Sequence, residues 1–321
     1  MEKKKVILDV DTGTDDAIAI MTAVMSENLE VLGVCAVNGN RGIDFTTENT
    51  LRVVEYLGKD IPVFRGCSLP MVVSLTEGRR EDIPYKGPKD SQDNVHGDYI
   101  DLPPATIQEQ PVSAVRWLVD TLMASEGDIT LIPVGPLTNI AMALRIEPRI
   151  AQKIKRIVIM GGGCREVNIT PTAEFNFWID PEAAKIVFDC GCDILVVPLD
   201  ATHAAAVSIR TAEALERKGT KPATLTARII RQRQNAYKHW QPMADIDSVP
   251  VHDALAVCAV LDESVLGPVV ETYADVDIGK GAADGMSIFD LDNRYKDRKK
   301  NVKVALGADP ERFADMLLNI L

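Results

Sequence analysis

Residues 6 to 20 constrain the fold more than any other stretch, because the spacing of their apolar side chains changes within them. Val6 to Val10 form an apolar run typical of a buried strand, whereas from Ala17 onward apolar residues recur with the spacing of one helical face. The junction predicts a turn at Gly13 and a helix capped by Thr14. Four aspartates lie at this junction: Asp9, Asp11, Asp15 and Asp16. A strand that runs directly into a helix is typical of the first unit of a parallel α/β sheet. Such sheets bind ligands beside the carboxyl ends of their strands.

The four aspartates indicate a cation. Like charges this close cannot all stay ionised without a compensating positive charge, and an all-oxygen ligand set favours a hard ion such as Ca²⁺ or Mg²⁺. The simpler alternative is that Asp15 and Asp16 suit the positive end of the helix and Asp9 only ends a strand. That alternative accounts for two acids better than for four within eight residues.

The same alternation of strand and helix continues along the chain. Strand patterns occupy 30–37, 62–64, 129–134, 155–160, 194–198 and 301–306, and helical patterns occupy 45–57, 112–124, 208–218, 224–239 and 310–320. The pattern lapses from 66 to 110, and no linker rich in proline or serine interrupts the chain. We therefore predict a single α/β domain over residues 1–321, with a mostly parallel central sheet and helices on both faces.

Composition excludes several classes of protein. Apolar residues make up 46% of the 321 residues, but their longest runs are too short to span a membrane. The first residues lack the apolar segment of a secretory signal, so we expect a cytoplasmic protein. Six scattered cysteines do not suggest a disulfide framework. A net charge of −12 argues against nucleic acid as a partner.

Further polar residues follow the later strands. Asn38 and Asn40 follow the second strand, and the backbone carbonyl of Val134 ends the strand at 129–134. His96 lies in the long loop and is a candidate ligand contact. Residues 168–180 mix amides, an acid and aromatic rings, which suits a pocket for sugar hydroxyls, and His252 stands beside Asp253 at a helix start.

Two other functions are alternative interpretations of these residues. A phosphotransferase similar to the haloacid dehalogenases would use Asp9 as nucleophile and Asp11 as acid, although Gly13 stands where that family has threonine or valine. A binder of ribose or nucleosides without catalysis is the second alternative. A phosphate cradle is not favoured, because the turn carries acids rather than a lysine and several glycines.

From Val6 to the C-terminal helix the sequence resembles the inosine–uridine-preferring nucleoside hydrolase family. The family's Asp-x-Asp-x-Gly-x-Asp-Asp signature stands at 9–16 and its Gly-Asn at 39–40. The other matching motifs are His-Gly at 96–97, Gly-Pro-Leu-Thr-Asn at 135–139, Ala-Glu-Phe-Asn at 173–176, Asp-Pro-Glu-Ala-Ala at 180–184 and His-Asp-Ala-Leu-Ala at 252–256.

The resemblance implies a Rossmann-like open sheet and calcium-dependent hydrolysis of ribonucleosides to free base and ribose, a reaction of purine or pyrimidine salvage. The implied Ca²⁺ ligands are Asp11, Asp16, Asp253 and the carbonyl of Val134, with Asp11 also activating a metal-bound water. The implied ribose ligands are Asp15, Asn40, Asn176 and Asp253 at the 2′- and 3′-hydroxyls, Asn168 and Glu174 at the 5′-hydroxyl, and Phe175 against the ring. His252 would lie near the base and assist its departure. We also expect a homo-oligomer, either a dimer or a tetramer.

Two departures from the family pattern concern the turn and the base. Thr12 replaces a common proline, which predicts a looser turn. The sequence after His96-Gly97 also differs from the usual one, so the covering of the base differs as well. Candidate base contacts, which leave purine or pyrimidine preference open, are Tyr237, His239, Trp240 and Gln241.

Overall fold

The computed structural model describes residues 2–79, 96–240 and 245–321. Its central element is an eight-stranded sheet with the order β3-β2-β1-β4-β5-β6-β12-β9. The strands of this sheet are β1 (Lys4–Val10), β2 (Leu29–Ala36), β3 (Val63–Arg65), β4 (Ile129–Pro133), β5 (Ile154–Met160), β6 (Ile194–Val197), β9 (Val269–Thr272) and β12 (Val302–Ala305). Every neighbouring pair is parallel except β9 and β12. The predicted mostly parallel α/β sheet is confirmed.

Helices cover both faces of the sheet. They are α1 (Thr14–Met25), α2 (Ile43–Leu57), α3 (Ala114–Ala124), α4 (Thr138–Ile146), α5 (Phe175–Ile179), α6 (Pro181–Phe188), α7 (Leu199–Ala204), α8 (Ile209–Lys218), α9 (Lys221–Trp240), α10 (His252–Leu261) and α11 (Pro310–Ile320). One apolar cluster joins the sheet to α1, α2 and α7 to α11, and a second joins it to α3, α4 and α6. Two small antiparallel ribbons pair β7 (Val207–Ser208) with β8 (Ser248–Val249), and β10 (Ala274–Val276) with β11 (Ser287–Phe289).

Local sequence explains where several helices begin and end. α2 ends at Gly58, whose φ of +63° is the left-handed conformation that glycine adopts without strain. α6 begins with Pro181 at its first position, and the side chain of Asp180 accepts the backbone N–H of Ala183. Phe313 and Leu317 of α11 are buried, as the apolar spacing of this segment predicts.

The strand order reverses direction at β1, which lies between β2 and β4. Asp9 is paired in register with Pro133, and the backbone N–H of Val134 donates to the carbonyl of Asp9 at 2.8 Å. The loops that follow β1 and β4 therefore meet at one point of the sheet edge. In open α/β sheets such a reversal creates a crevice for ligands.

Three sequence predictions need correction. The N-cap of α1 is Gly13 and not Thr14, which is the first helical residue. α3 begins at Ala114, two residues after the predicted start, because Ser113 accepts the N–H of Arg116 as its cap. The segment 175–179, predicted as loop, is the short helix α5.

Candidate active site

Asp16 organises the turn between β1 and α1. Its carboxylate accepts the backbone N–H groups of Asp11 at 3.1 Å and of Gly13 at 2.9 Å. These bonds satisfy donors that a helix start leaves open, which explains why α1 begins without a side-chain cap from Thr14. The Thr12 hydroxyl bonds that of Thr50 at 2.6 Å, so a side-chain contact holds the turn where the family commonly has proline.

Carboxylates from the first turns of α1 and α10 converge beside this turn. Asp15, Asp16 and Asp253 are buried, and each offers one oxygen within 4.8 Å of the others. Asp11 adjoins this group, because its backbone N–H donates to the Asp16 carboxylate, whose charge raises the pKa of the Asp11 carboxyl. The Asp11 carboxylate accepts the backbone N–H of Asn40 at 2.6 Å. The prediction that several of these acids share one small volume is confirmed.

The electrostatics of this group call for a cation. Burial raises the pKa of Asp11 and Asp253 well above the usual range and that of Asp16 to about 7, with a further increase from neighbouring carboxylates. The Oδ1 atom of Asp15 is buried and accepts no hydrogen bond from the described residues. This oxygen lies 2.9 Å from the Arg233 guanidinium, so the three acids that resist ionisation are Asp11, Asp16 and Asp253. These three fit the site of a hard divalent cation, which would let them ionise.

The Val134 carbonyl precedes Gly135, which lies against the Asp11 carboxylate. It accepts a hydrogen bond from Nδ2 of Asn176 at 2.8 Å, and the same Nδ2 also donates to the Met160 carbonyl at 3.1 Å. Asn40 reaches the site from the loop after β2, where its Nδ2 lies 3.3 Å from the Asp16 carboxylate. Amide groups from α5 and from the loop after β2 therefore reach this part of the crevice.

The segment before α5 forms a second polar region. Glu174 is buried, and its carboxylate accepts the backbone N–H groups of Gly162, Asn176 and Phe177 at 2.8 to 3.2 Å. Burial raises the pKa of Glu174 to about 7. Oδ1 of Asn168 accepts the N–H of Phe175 at 2.9 Å. The structure thus brings the predicted 5′-hydroxyl residues together on one loop.

His96 packs against the start of α1. Its Nδ1 accepts the backbone N–H of Thr14 at 3.1 Å and lies 3.6 Å from Oδ1 of Asp15. A Cβ atom at Gly13 would lie 2.2 Å from this nitrogen, so the approach requires glycine. Burial lowers the pKa of His96 to about 4, which leaves the ring neutral at physiological pH. The loop histidine therefore faces the carboxylate site, as predicted.

His252 is the first residue of α10 and is held on both sides. Its Nδ1 lies 2.7 Å from the Thr202 hydroxyl and its Nε2 lies 2.8 Å from the Tyr237 hydroxyl. Burial and the nearby guanidinium of Arg233 lower the pKa of His252 well below its usual value. Of the four candidate base contacts, Tyr237 is therefore next to His252. Gln241 and the side chains of His239 and Trp240 lie outside the described part of the structure.

Arg233 and Thr202 were missed by the sequence analysis. Arg233 is only 1% exposed, and its Nη1 lies 2.9 Å from Oδ1 of Asp15. A fully buried arginine needs a partner of opposite charge, but its position in a helical pattern rich in arginine gave no sign of burial. Thr202 stands four residues after Pro198, at the predicted end of a strand, which was the available signal.

Comparison with known proteins agrees with this geometry. The profile described as inosine-uridine preferring nucleoside hydrolase matches residues 6–315. Pyrimidine-specific ribonucleoside hydrolase RihB of Escherichia coli (strain K12) is 36% identical over 318 residues, which are 98% of this chain and 95% of RihB. The purine-preferring ribonucleoside hydrolase from Gardnerella vaginalis superposes with a TM-score of 0.86 at 28% identity, over 98% of this chain and 97% of that one. The plant nucleoside hydrolase PpNRh1 gives a TM-score of 0.86 at 31% identity, over 98% of each chain.

Fold and site together define an α/β enzyme that acts on nucleosides and has a buried carboxylate cluster that could hold a metal ion. The chain belongs to the inosine–uridine-preferring nucleoside hydrolase family, and its reaction is hydrolysis of the N-glycosidic bond of ribonucleosides. Within the described residues, no helix has the length and apolar character needed to cross a membrane.

Proposed function

We propose that the enzyme is calcium-dependent and that Asp11 is the general base of its reaction. The observation that supports the proposal is the buried carboxylate cluster, in which Asp16 and Asp253 offer oxygens within 4.8 Å of one another and Asp16 accepts the backbone N–H of Asp11. We add the Val134 carbonyl, which follows β4, as the fourth ligand. These four residues would hold the ion, since oxygen donors of this kind are those that Ca²⁺ prefers. Bound there, Ca²⁺ would orient and polarise the attacking water.

Asp11 would accept the proton of that water. Ca²⁺ acidifies water only modestly, so a carboxylate base is needed. The Asp11 side chain is fixed by the N–H of Asn40 and enclosed by Gly39 and Gly135, where added Cβ atoms would lie within 2.1 Å and 2.7 Å of its carboxylate oxygens. A base held in one rotamer loses little freedom when the reaction begins.

The ribose would lie between the two polar regions. We assign its 2′- and 3′-hydroxyls to Asp15, Asn40, Asn176 and Asp253, and its 5′-hydroxyl to Asn168 and Glu174, with Phe175 against the ring. Carboxylates close to the sugar stabilise the oxocarbenium-like transition state of glycoside cleavage, and firm hydroxyl contacts hold the sugar in a distorted conformation.

The leaving base would lie on the side of His252 and His96. The His252 ring is buried and the His96 ring is half-buried, and both interact electrostatically with the Asp15 carboxylate. We assign the departure of the base to His252, whose ring orientation is fixed by Thr202 and Tyr237. His96 would contact the substrate from the opposite loop.

The phosphotransferase alternative is disfavoured by the position of Asp9. This residue is 1% exposed, and its Oδ2 accepts a hydrogen bond from Nδ2 of Asn139 at 2.8 Å. A nucleophile must reach a phosphorus atom, whereas Asp9 is enclosed below the site. The non-catalytic alternative would require a lost general base, and Asp11 is present.

A panel of purine and pyrimidine ribonucleosides tests the proposal. Free ribose should accumulate with at least one member of the panel and should require Ca²⁺. The Asp11→Asn variant, which lacks the proposed general base, serves as the negative control. Release of inorganic phosphate from phosphate esters without ribose from any nucleoside would support the phosphotransferase instead. Nucleoside binding without ribose release would support the binder.

We also propose, from the sequence, a domain organisation, an assembly state and a cellular location. The chain would form one domain over residues 1–321, assemble as a dimer or tetramer and act in the cytoplasm in nucleoside salvage. Light scattering of the purified protein measures its mass in solution, and a monomer would contradict the proposed assembly.

A further inference from the structure

Arg233 is a fully buried cation inside an acidic site. It lies on α9 and makes three contacts beyond its pairing with Asp15. Nη1 donates to the Thr14 hydroxyl at 2.8 Å, Nε donates to the Pro250 carbonyl at 3.1 Å, and Nη2 donates to the Tyr237 hydroxyl at 3.4 Å. The guanidinium therefore joins the start of α1 to α9 and to the chain just before α10. Taking a charge out of water is costly unless it is paired, so this placement needs a reason.

Its contact with Asp15 is electrostatic rather than a well-directed hydrogen bond. Nη1 lies 2.9 Å from Oδ1 of Asp15, yet this oxygen accepts no hydrogen bond from the described residues. Asp15 is thus held in place and charged while one oxygen keeps its capacity to accept. A sugar hydroxyl is a donor that would use it, and the same hydroxyl would find no comparable acceptor if Asp15 turned away.

Arg233 also separates Asp15 from the other acids. Distance alone would make Asp15, Asp16 and Asp253 a set of metal ligands, since their oxygens lie within 4.8 Å of one another. A carboxylate beside a guanidinium shares its negative charge with that cation, and a second cation nearby is repelled by the first. Within the described part of the chain Asp11 has no such cationic partner: its carboxylate accepts the N–H of Asn40 and adjoins the Asp16 carboxyl.

We propose that Arg233 is a positioning residue that reserves Asp15 for the ribose hydroxyls and keeps this carboxylate out of the set of calcium ligands. The inference rests on the proposed function of the site. It makes two properties depend on one buried side chain: the preference for ribonucleosides over deoxyribonucleosides, and the strength of calcium binding.

The test compares Arg233→Gln with Arg228→Gln, which removes an arginine of the same helix that pairs with Asp101 at the surface. For each protein, kcat/KM is measured on the best ribonucleoside and on its 2′- and 3′-deoxy counterparts, and calcium affinity is measured by calorimetry. In Arg233→Gln the discrimination against a deoxy substrate should fall by roughly 10-fold to 100-fold, the value of one hydrogen bond to a charged group. Calcium should bind more tightly, because a positive charge has been removed beside it.

Weaker discrimination against deoxy substrates together with tighter calcium binding distinguishes this positioning role from a purely structural one. If Arg233 only supports the fold, its loss should weaken calcium binding and leave the substrate ratio unchanged, and either result overturns the inference. Arg233→Lys keeps the charge without the fork of donors and should retain the native calcium affinity while losing part of the discrimination. If the glutamine variant does not fold, a lysine variant with weakened calcium binding or an unchanged substrate ratio overturns the inference. A wild-type protein that releases no ribose would instead contradict the proposed function, and the calcium comparison would still report on Arg233.

Discussion

The Tyr237 hydroxyl lies 2.8 Å from Nε2 of His252 and connects this ring to Arg233, whose Nη2 donates to the same hydroxyl at 3.4 Å. On the other side of the ring, the Thr202 hydroxyl donates to the Leu199 carbonyl at 3.3 Å. The hydrogen-bond network therefore assigns Nδ1–H of His252 as donor to Thr202 and Nε2 as acceptor from Tyr237. The ring is neutral and fixed in orientation.

Tyr237→Phe should slow base departure, because it removes the partner of Nε2 while keeping the packing of the ring. Loss of one such bond predicts a kcat lower by roughly 10-fold, with a smaller change in KM. Steady-state kinetics on the best nucleoside measures both. Tyr56→Phe, which loses an exposed bond to the Lys221 carbonyl, is the matched control. An unchanged kcat for Tyr237→Phe would show that the hydrogen bond to His252 plays no part in the reaction.

Removal of calcium should abolish activity and addition should restore it. The buried carboxylates lose the positive charge that lets them ionise together, and their raised pKa values then favour protonated, inactive forms. Elemental analysis should find about one calcium ion per chain in an all-oxygen site. Full activity after exhaustive chelation, with no divalent metal detectable, would refute the metal assignment.

Nucleosides should be preferred to their 5′-monophosphates. Glu174 is assigned to the 5′-hydroxyl and ionises above its pKa of about 7, and the chain carries a net charge of −12. At about pH 8 a phosphate would therefore meet negative charge in a region of low dielectric constant. We expect kcat/KM for the monophosphate to be lower by roughly 100-fold or more, since a close like-charge contact costs a few kcal/mol. Comparable efficiencies for uridine and uridine 5′-monophosphate, or for another such pair, would contradict this assignment.

The Glu174 carboxyl should make folding stability depend on pH. Its pKa is about 7 in the folded protein, against 4.5 for the unfolded chain. A raised pKa means that the folded state holds the proton longer, so this contribution is fully present below pH 4.5 and is lost as pH rises through about 7. The free energy of unfolding of the wild type, relative to Glu174→Gln, should therefore fall by roughly 3 kcal/mol between pH 4 and pH 8.

Denaturant unfolding of both proteins across this range provides the measurement. Using the difference between them cancels the titration of other groups, and a constant calcium concentration keeps the metal site equal. A difference that stays flat with pH, or rises with it, would contradict the buried, raised pKa of Glu174.

The sequence predicted those parts of the site that follow strand ends. Asp11 and Val134 stand where apolar runs stop, and parallel strands bring such positions to one edge of the sheet. Asn176 and Glu174 could be assigned because a compact motif carries them. The predicted N-cap of α1 was wrong because the carboxylate of Asp16, which lies within the helix, accepts the backbone N–H groups of the turn.

Arg233 and the ribbon of β10 and β11 could not be predicted, for a common reason. Both depend on contacts between distant parts of the chain. Arg233 meets Asp15 across 218 positions, and nothing in its local pattern distinguishes it from the exposed Arg228 and Arg231 of the same helix. The strand Ser287–Phe289 is too short to show a period and forms by pairing with Ala274–Val276.

Asp11→Asn gives the most direct test of the account, provided that kcat and calcium content are measured on the same preparation. Asparagine keeps the size of the side chain and one coordinating oxygen but cannot accept the proton. We predict a kcat lower by roughly 10²-fold to 10⁴-fold, a much smaller change in KM, and about one calcium ion still bound per chain. A variant that retains calcium and a near-normal kcat would show that another group takes the proton, and Asp11 would then not be the general base.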